Sequence, residues 1–167
     1  MAKINDPSVY PLTTPSSEDK VIGTDISNTS NSANGETVSF GLGDITKLVP
    51  VVIVVSLTGE TEEASTGTAK NTFRSPYGFI MTNARLSASV APVGANMVVD
   101  INVNGNTILA TKLSIDDGEK TSTTASVEVS ISSAPIADDS EITVDIDQVG
   151  STTAGSGVKL YMIGYRT

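Results

Sequence analysis

From Pro50 onward the chain alternates apolar and polar residues in short segments, and each segment ends in a cluster of turn-forming residues. A period of two sends alternate side chains to opposite faces of a strand, so these segments bury their apolar residues as β-structure and not as helix. Val99, Ile101 and Val103 alternate with Asp100, Asn102 and Asn104, which face out. Val127, Val129 and Ile131 alternate with Glu128, Ser130 and Ser132, and Ile142, Val144 and Ile146 with Thr143, Asp145 and Asp147. From Phe79 to Val90 the same rule puts Ile80, Ala84, Leu86, Ala88 and Val90 on one face. Met81, Asn83, Arg85, Ser87 and Ser89 take the other.

The run Val51 to Leu57, apolar but for Ser56, reads as a strand covered on both sides. Asn104-Gly105 is the strongest hairpin signal, because a type I′ turn needs positive φ at both central positions. It predicts a return strand over Thr107 to Leu113 with Leu109 and Leu113 inward, and a last strand runs from about Val158 to Tyr165. Turn clusters at Ala91 to Gly94, Asp116 to Gly118, Ala134 to Asp139 and Gly150 to Gly157 separate the segments. Seven or eight strands at this spacing, without a convincing helix, predict an all-β fold: an antiparallel β-sandwich, jelly-roll-like, preceded by an extended N-terminal arm. A barrel is the alternative, since strand order is not readable from one sequence.

The division falls near residue 49, giving an arm over residues 1–49 and a β-sandwich over residues 50–167. Pro7, Pro11 and Pro15 recur among Thr and Ser, which favours extended backbone. Ser27 to Gly35 is small, polar and aperiodic, hence a loop. Two apolar pieces, Val21-Ile22 with Ile26 and Val38 with Phe40, have the form of short strands. Gly43 to Leu48 fits one helical turn with Asp44 as its N-cap. So few apolar side chains do not offset the ordering entropy of about fifty residues, and such a segment takes shape by lying on something else.

Absences narrow the chemistry. With no His, Cys or Trp among 167 residues, no imidazole base, thiol nucleophile, His/Cys zinc site or disulfide exists. The chain therefore reads as no enzyme and implies no cofactor. A net charge of −9, with ten basic residues scattered singly, argues against nucleic acid. The longest apolar run, Val49 to Val55, is too short for membrane insertion, and Met1 to Asp6 lacks the apolar stretch of a secretory signal.

Each remaining candidate has a plainer reading. Asp138, Asp139, Glu141, Asp145 and Asp147 offer hard oxygens to a cation. Asp145 and Asp147 nevertheless alternate with a strand's apolar face and read as solvated, so no metal is expected. Asp116 to Glu119 is a turn. Gly59 to Gly67, with Glu60, Glu62 and Glu63, reads as an exposed loop, and Gly155-Ser156-Gly157 as a flexible one without a histidine partner. Asn28-Thr29-Ser30 matters only as a glycosylation sequon in a eukaryotic secreted protein. Val51 to Val55 points to assembly: on an open edge it would invite aggregation, so it is central in a sheet or buried against another subunit. Tyr77, Phe79, Tyr161 and Tyr165, near presumed strand ends, suit an interface, with ordinary partial burial as the plainer reading of each one singly.

The opening MAKINDPSVYPLTTPSSEDKVIGTDISNTSNSANGETVSFGLGDI resembles the N-terminal segment of virion proteins from tailed bacteriophages, including cyanophages. Its pattern is K-V-I-G-T-D, then G-E-T-V-x-F, then G-D-I. GFIMTNARLSASVAPVGANMVVDINVNGNTILATKLSIDDGEKTSTTA and DDSEITVDIDQVGSTTAGSGVKLYMIGYR are similar to β-sandwich modules of phage fibre proteins. The resemblance implies a jelly-roll-like sandwich, localisation to the virion, and a structural role as a homotrimer among other virion proteins of the tail, neck or capsid. The chain departs from long receptor-binding fibres in its shortness and lack of Trp. It reads as a short fibre-like protein, anchored by its arm and projecting its sandwich, with host surface glycan as a further partner. The alternatives are a capsid decoration protein cementing the head and a carbohydrate-binding module. Val21, Ile22, Val38, Phe40, Ile45 and Leu48 are the expected attachment residues, docking by strand addition.

Overall fold

The computed structural model describes residues 15, 16, 18–27, 35–47, 49–132 and 135–166. The chain divides into two units, Met1–Val49 and Pro50–Thr167.

In the first unit the two apolar pieces pair with each other. Strand β1 (Lys20–Asp25) runs antiparallel to β2 (Glu36–Gly41), with Lys20 opposite Gly41 and Asp25 opposite Glu36. A short helix, α1 (Leu42–Thr46), follows directly. Its N-cap is Gly41, without a side-chain cap, so Asp44 does not serve that role. Asp44 lies in the first turn, where it favours the helix dipole, and bonds Lys47 Nζ at 2.9 Å.

In the second unit, chain order gives β3 (Val51–Ser56), β4 (Gly67–Arg74), β5 (Phe79–Ser87), β6 (Met97–Val103), β7 (Asn106–Thr107), β8 (Leu109–Thr111) and β9 (Leu113–Ile115). A 3₁₀ turn at Ser122–Thr124 precedes β10 (Ser130–Ile131), β11 (Pro135–Ile136), β12 (Glu141–Gln148) and β13 (Lys159–Arg166). One sheet has the order β11-β5-β13-β3 and the other β4-β12-β6-β7, with β9 also on β6. Pairing is nested: β3 with β13, β4 with β12, β5 with β11 and β6 with β9, all antiparallel. This is one long hairpin rolled up, and the ladders β13–β5 and β12–β6 close the roll. The fold is an all-β, antiparallel jelly-roll sandwich. Phe79, Met81, Ala84, Leu86, Leu160 and Met162 from one sheet meet Met97, Val99, Ile101, Ile142, Val144 and Ile146 from the other in a single buried core.

Several faces and boundaries depart from strict alternation. In β5, Met81 is buried and Ile80 is not, because the register against β13 slips between Ile163 and Gly164, leaving Thr82 as an extra residue. A bulge of this kind reverses the inward face, so Phe79 and Met81 point in before it and Ala84 and Leu86 after it. Asp100 is 5% exposed although it occupies an outward position of β6. The expected strand over Val127 to Ser132 reduces to the two residues of β10, and Val127 is exposed. The hairpin at Asn104-Gly105 forms as expected, with φ of 50° and 79°. The return strand breaks into three pieces. β7 and β9 pair with β6, whereas β8 leaves to pair with β10. The run Val51 to Val55 is neither central nor covered on both sides: β3 is an edge strand of its sheet, with Val52 and Val54 about half exposed.

Candidate attachment site

The hairpin β1–β2 carries most of the expected attachment residues, and its register sorts them onto two faces. Val21 lies opposite Phe40 and Gly23 opposite Val38, so Val21, Val38 and Phe40 share one face. A methyl group built on Gly23 would sit 2.9 Å from Phe40 Cε2 and 3.2 Å from Cδ2, so the edge of the ring covers the glycine. Ile22, opposite Ser39, points the other way and is 80% exposed. Ile45 stands on α1, which follows β2, and is exposed. Leu48, like the sequon at Asn28, lies outside the described residues. Ile26, just past β1, is equally open and adds an exposed apolar residue beyond the expected anchors.

Local bonds fix the ends of this ribbon. Asp25 accepts from the Ser27 amide at 2.9 Å and its hydroxyl at 2.6 Å. Gly35 has φ +91°, and a Cβ there would meet the Asp25 carbonyl at 2.5 Å, so only glycine re-enters the ladder at that point. At the other end Leu42 N–H donates to the Asp19 carbonyl at 2.8 Å, while the Asp19 carboxylate accepts from the Ser16 amide at 2.7 Å. The ribbon therefore offers one apolar face, built from Val21, Val38 and Phe40, and a second, mostly polar face from which Ile22 projects. Chemically it suits strand addition, with main-chain bonds for affinity and side-chain pockets for register.

The acidic residues of the sandwich are mostly engaged with one another's neighbours. Asp145 accepts from the Ala69 amide at 2.7 Å and from Asn102 Nδ2 at 3.0 Å, and it holds β4 at a register slip where Ala69 has φ 50°. Lys112 Nζ reaches Asp147 at 2.6 Å and Asp100 at 3.0 Å, and these two carboxylates, Asp147 foremost, raise its pKa above the ordinary lysine value. Asp100 also accepts from Thr107 Oγ1 at 2.6 Å, which explains how a carboxylate is buried on this face. Arg74 stands 3.7 Å from both Asp139 and Glu141. Among the described residues, no three acidic side chains converge as a metal site would require.

The loops that looked idle in sequence are structural ties. Gly155, Ser156 and Gly157 are buried, and Ser156 exchanges backbone bonds with Val90, each at 3.2 Å. Glu60 bonds Lys159 Nζ at 2.7 Å and the Ser89 hydroxyl, and these contacts hold its carboxyl below the usual range. An open, polar cleft of about 330 Å³ lies beside β5, lined by Thr82, Asn83, Arg85, Ser122, Thr123 and Glu128, with no aromatic platform. Of the strand-end aromatics, Tyr77 packs edge-on to Phe79 under the Arg166 guanidinium, which is 4.7 Å from the Tyr77 ring centre. Tyr161 and Tyr165 lie on the outer face of β13, with Tyr161 beside Val54 of β3.

No protein family, curated protein or solved structure matches this chain.

Proposed function

We propose that the chain is a structural protein of a tailed-phage virion, a short fibre-like protein that attaches through the β1–β2 ribbon and displays its jelly roll outward. The observation that carries this reading is the hairpin's apolar surface. Val21, Ile22 and Phe40 stand open on a two-stranded ribbon, too small a structure to be stable alone in water. Burying those side chains on a neighbouring virion protein supplies the hydrophobic stabilisation that the ribbon lacks. Strand addition along the ribbon supplies register.

Localising the chain on intact particles by immunogold labelling or cryo-EM tests the reading. Tens of copies or fewer at the tail or neck support the fibre-like role, and hundreds across the head favour the decoration role instead. Deleting residues 1–40 is expected to abolish incorporation while leaving a folded sandwich. Undiminished incorporation, or absence of the chain from particles, refutes attachment through the ribbon.

A further inference from the structure

Among the described residues, nothing pairs with the outer edge of β3, and the strand itself is uncharged and apolar. Leu57 N–H donates to the Val158 carbonyl at 2.8 Å, and the ladder continues with Val55 opposite Leu160, Ile53 opposite Met162 and Val51 opposite Gly164. Antiparallel pairing alternates, so Val51, Ile53 and Val55 turn their amides toward β13, and Val52, Val54 and Ser56 turn theirs toward the open edge. Asn71 Nδ2 bonds the Ser56 carbonyl at 3.1 Å, which confirms that direction. No charged residue occurs from Val49 through Gly59, in a chain of net charge −9. Along this segment two copies therefore meet without like-charge repulsion between the paired strands themselves.

We propose that β3 pairs with β3 of a second copy, antiparallel about a twofold axis through Ile53, joining the two four-stranded sheets into one. The segment Val51-Val52-Ile53-Val54-Val55 reads the same in both directions, so this register sets Val52 against Val54 of the other copy, twice. Those are the two residues whose amides face outward, and each such pair exchanges two hydrogen bonds. One step further, Ser56 meets Pro50 of the other copy. Pro50 has no N–H to give, and the Ser56 carbonyl that would have received it is already bonded to Asn71. The donor that is missing thus matches an acceptor that is already occupied. On the outer face Ile163 lies beside Val52 and Tyr161 beside Val54, so the union forms one apolar stripe across both copies. The inference goes beyond the proposed function and stands or falls separately from it. It implies an even number of copies, where the phage resemblance implies three.

Sedimentation of the full-length chain, with amide hydrogen exchange at Val52 and Val54, provides the test. The wild type is expected at twice the chain mass with both amides protected. V52K/V54K, which sets Lys against Lys in both pairs, should sediment at one chain mass with both amides exchanging freely. V52E/V54K sets Glu against Lys in both pairs and should remain two-chain. Both positions are half exposed, so the folded sandwich tolerates these changes, as far-ultraviolet circular dichroism would register. A monomeric or three-copy wild type overturns the inference. So does a V52K/V54K variant that stays two-chain, a monomeric V52E/V54K, or a dimer with unprotected Val52 and Val54 amides.

Discussion

Lys112 Nζ lies 3.0 Å from a carboxylate oxygen of Asp100, an acid that the jelly roll buries on what would be a solvent-facing position. The contact fastens the irregular return from β7 to β9 onto β6. Removing one partner of such a pair costs more than the pair contributes, because the remaining charge keeps its desolvation penalty.

Lys112→Met is therefore expected to destabilise the sandwich by about 1–2 kcal/mol near neutral pH, as read by urea unfolding. The Lys112 pKa is raised by its bonds to Asp147 and then Asp100. A raised folded-state value gives stability that is fully present below the ordinary value of 10.5 and is lost as pH rises through the folded one. The gap between wild type and variant should accordingly close in strong alkali. A gap that stays constant there would count against the ion pair as its source.

Glu60 shows the opposite sign. Its bonds to Lys159 and Ser89 lower its pKa, so its contribution is present above the ordinary value of 4.5 and disappears as pH falls through the folded one. Thermal midpoints of wild type and Glu60→Gln should differ slightly at neutral pH and converge in acid. Parallel curves across the range would contradict the assignment.

Gly164 sits at the register slip in central strand β13, and a Cβ there would stand 2.0 Å from the Ile80 carbonyl oxygen. Gly164→Ala is expected to lower stability by about 2–4 kcal/mol, since backbone and not a flexible side chain must move. Gly105→Ala, with φ +79° but nothing within 4 Å, should cost only about 1 kcal/mol. Chemical denaturation of both variants checks the contrast, and equal losses would deny the clash.

Phe40→Ser removes the ring that covers Gly23 without touching the sandwich core. The variant is expected to unfold thermally like the wild type over its main transition and to enter particles several-fold less well. Quantitative immunoblotting of purified particles measures this, and normal incorporation would exclude Phe40 as an anchor.

The alternation of Val99 to Val103 and Ile142 to Ile146, together with the Asn104-Gly105 turn, was enough to read an all-β sandwich, because each signal is local. The hairpin residues Val21, Val38 and Phe40 were legible for the same reason, but their common face depends on a pairing register that only the fold supplies. β4 escaped notice because it contributes Phe73 as its one large apolar residue and lies at a sheet edge, where polar side chains suffice. The inversion at Ile80 and Met81 depends on a bulge, and a bulge is set by the partner strand.

The sequence by itself therefore determined the all-β character, most of the long strands and the main turns, since period and turn chemistry act within a few residues. The tertiary structure alone decided that Val51 to Val55 is an edge strand, that Asp100 is buried against Lys112, and that Gly155 to Gly157 is a tie and no free loop. Those outcomes come from contacts between residues far apart in the chain, which no local pattern encodes.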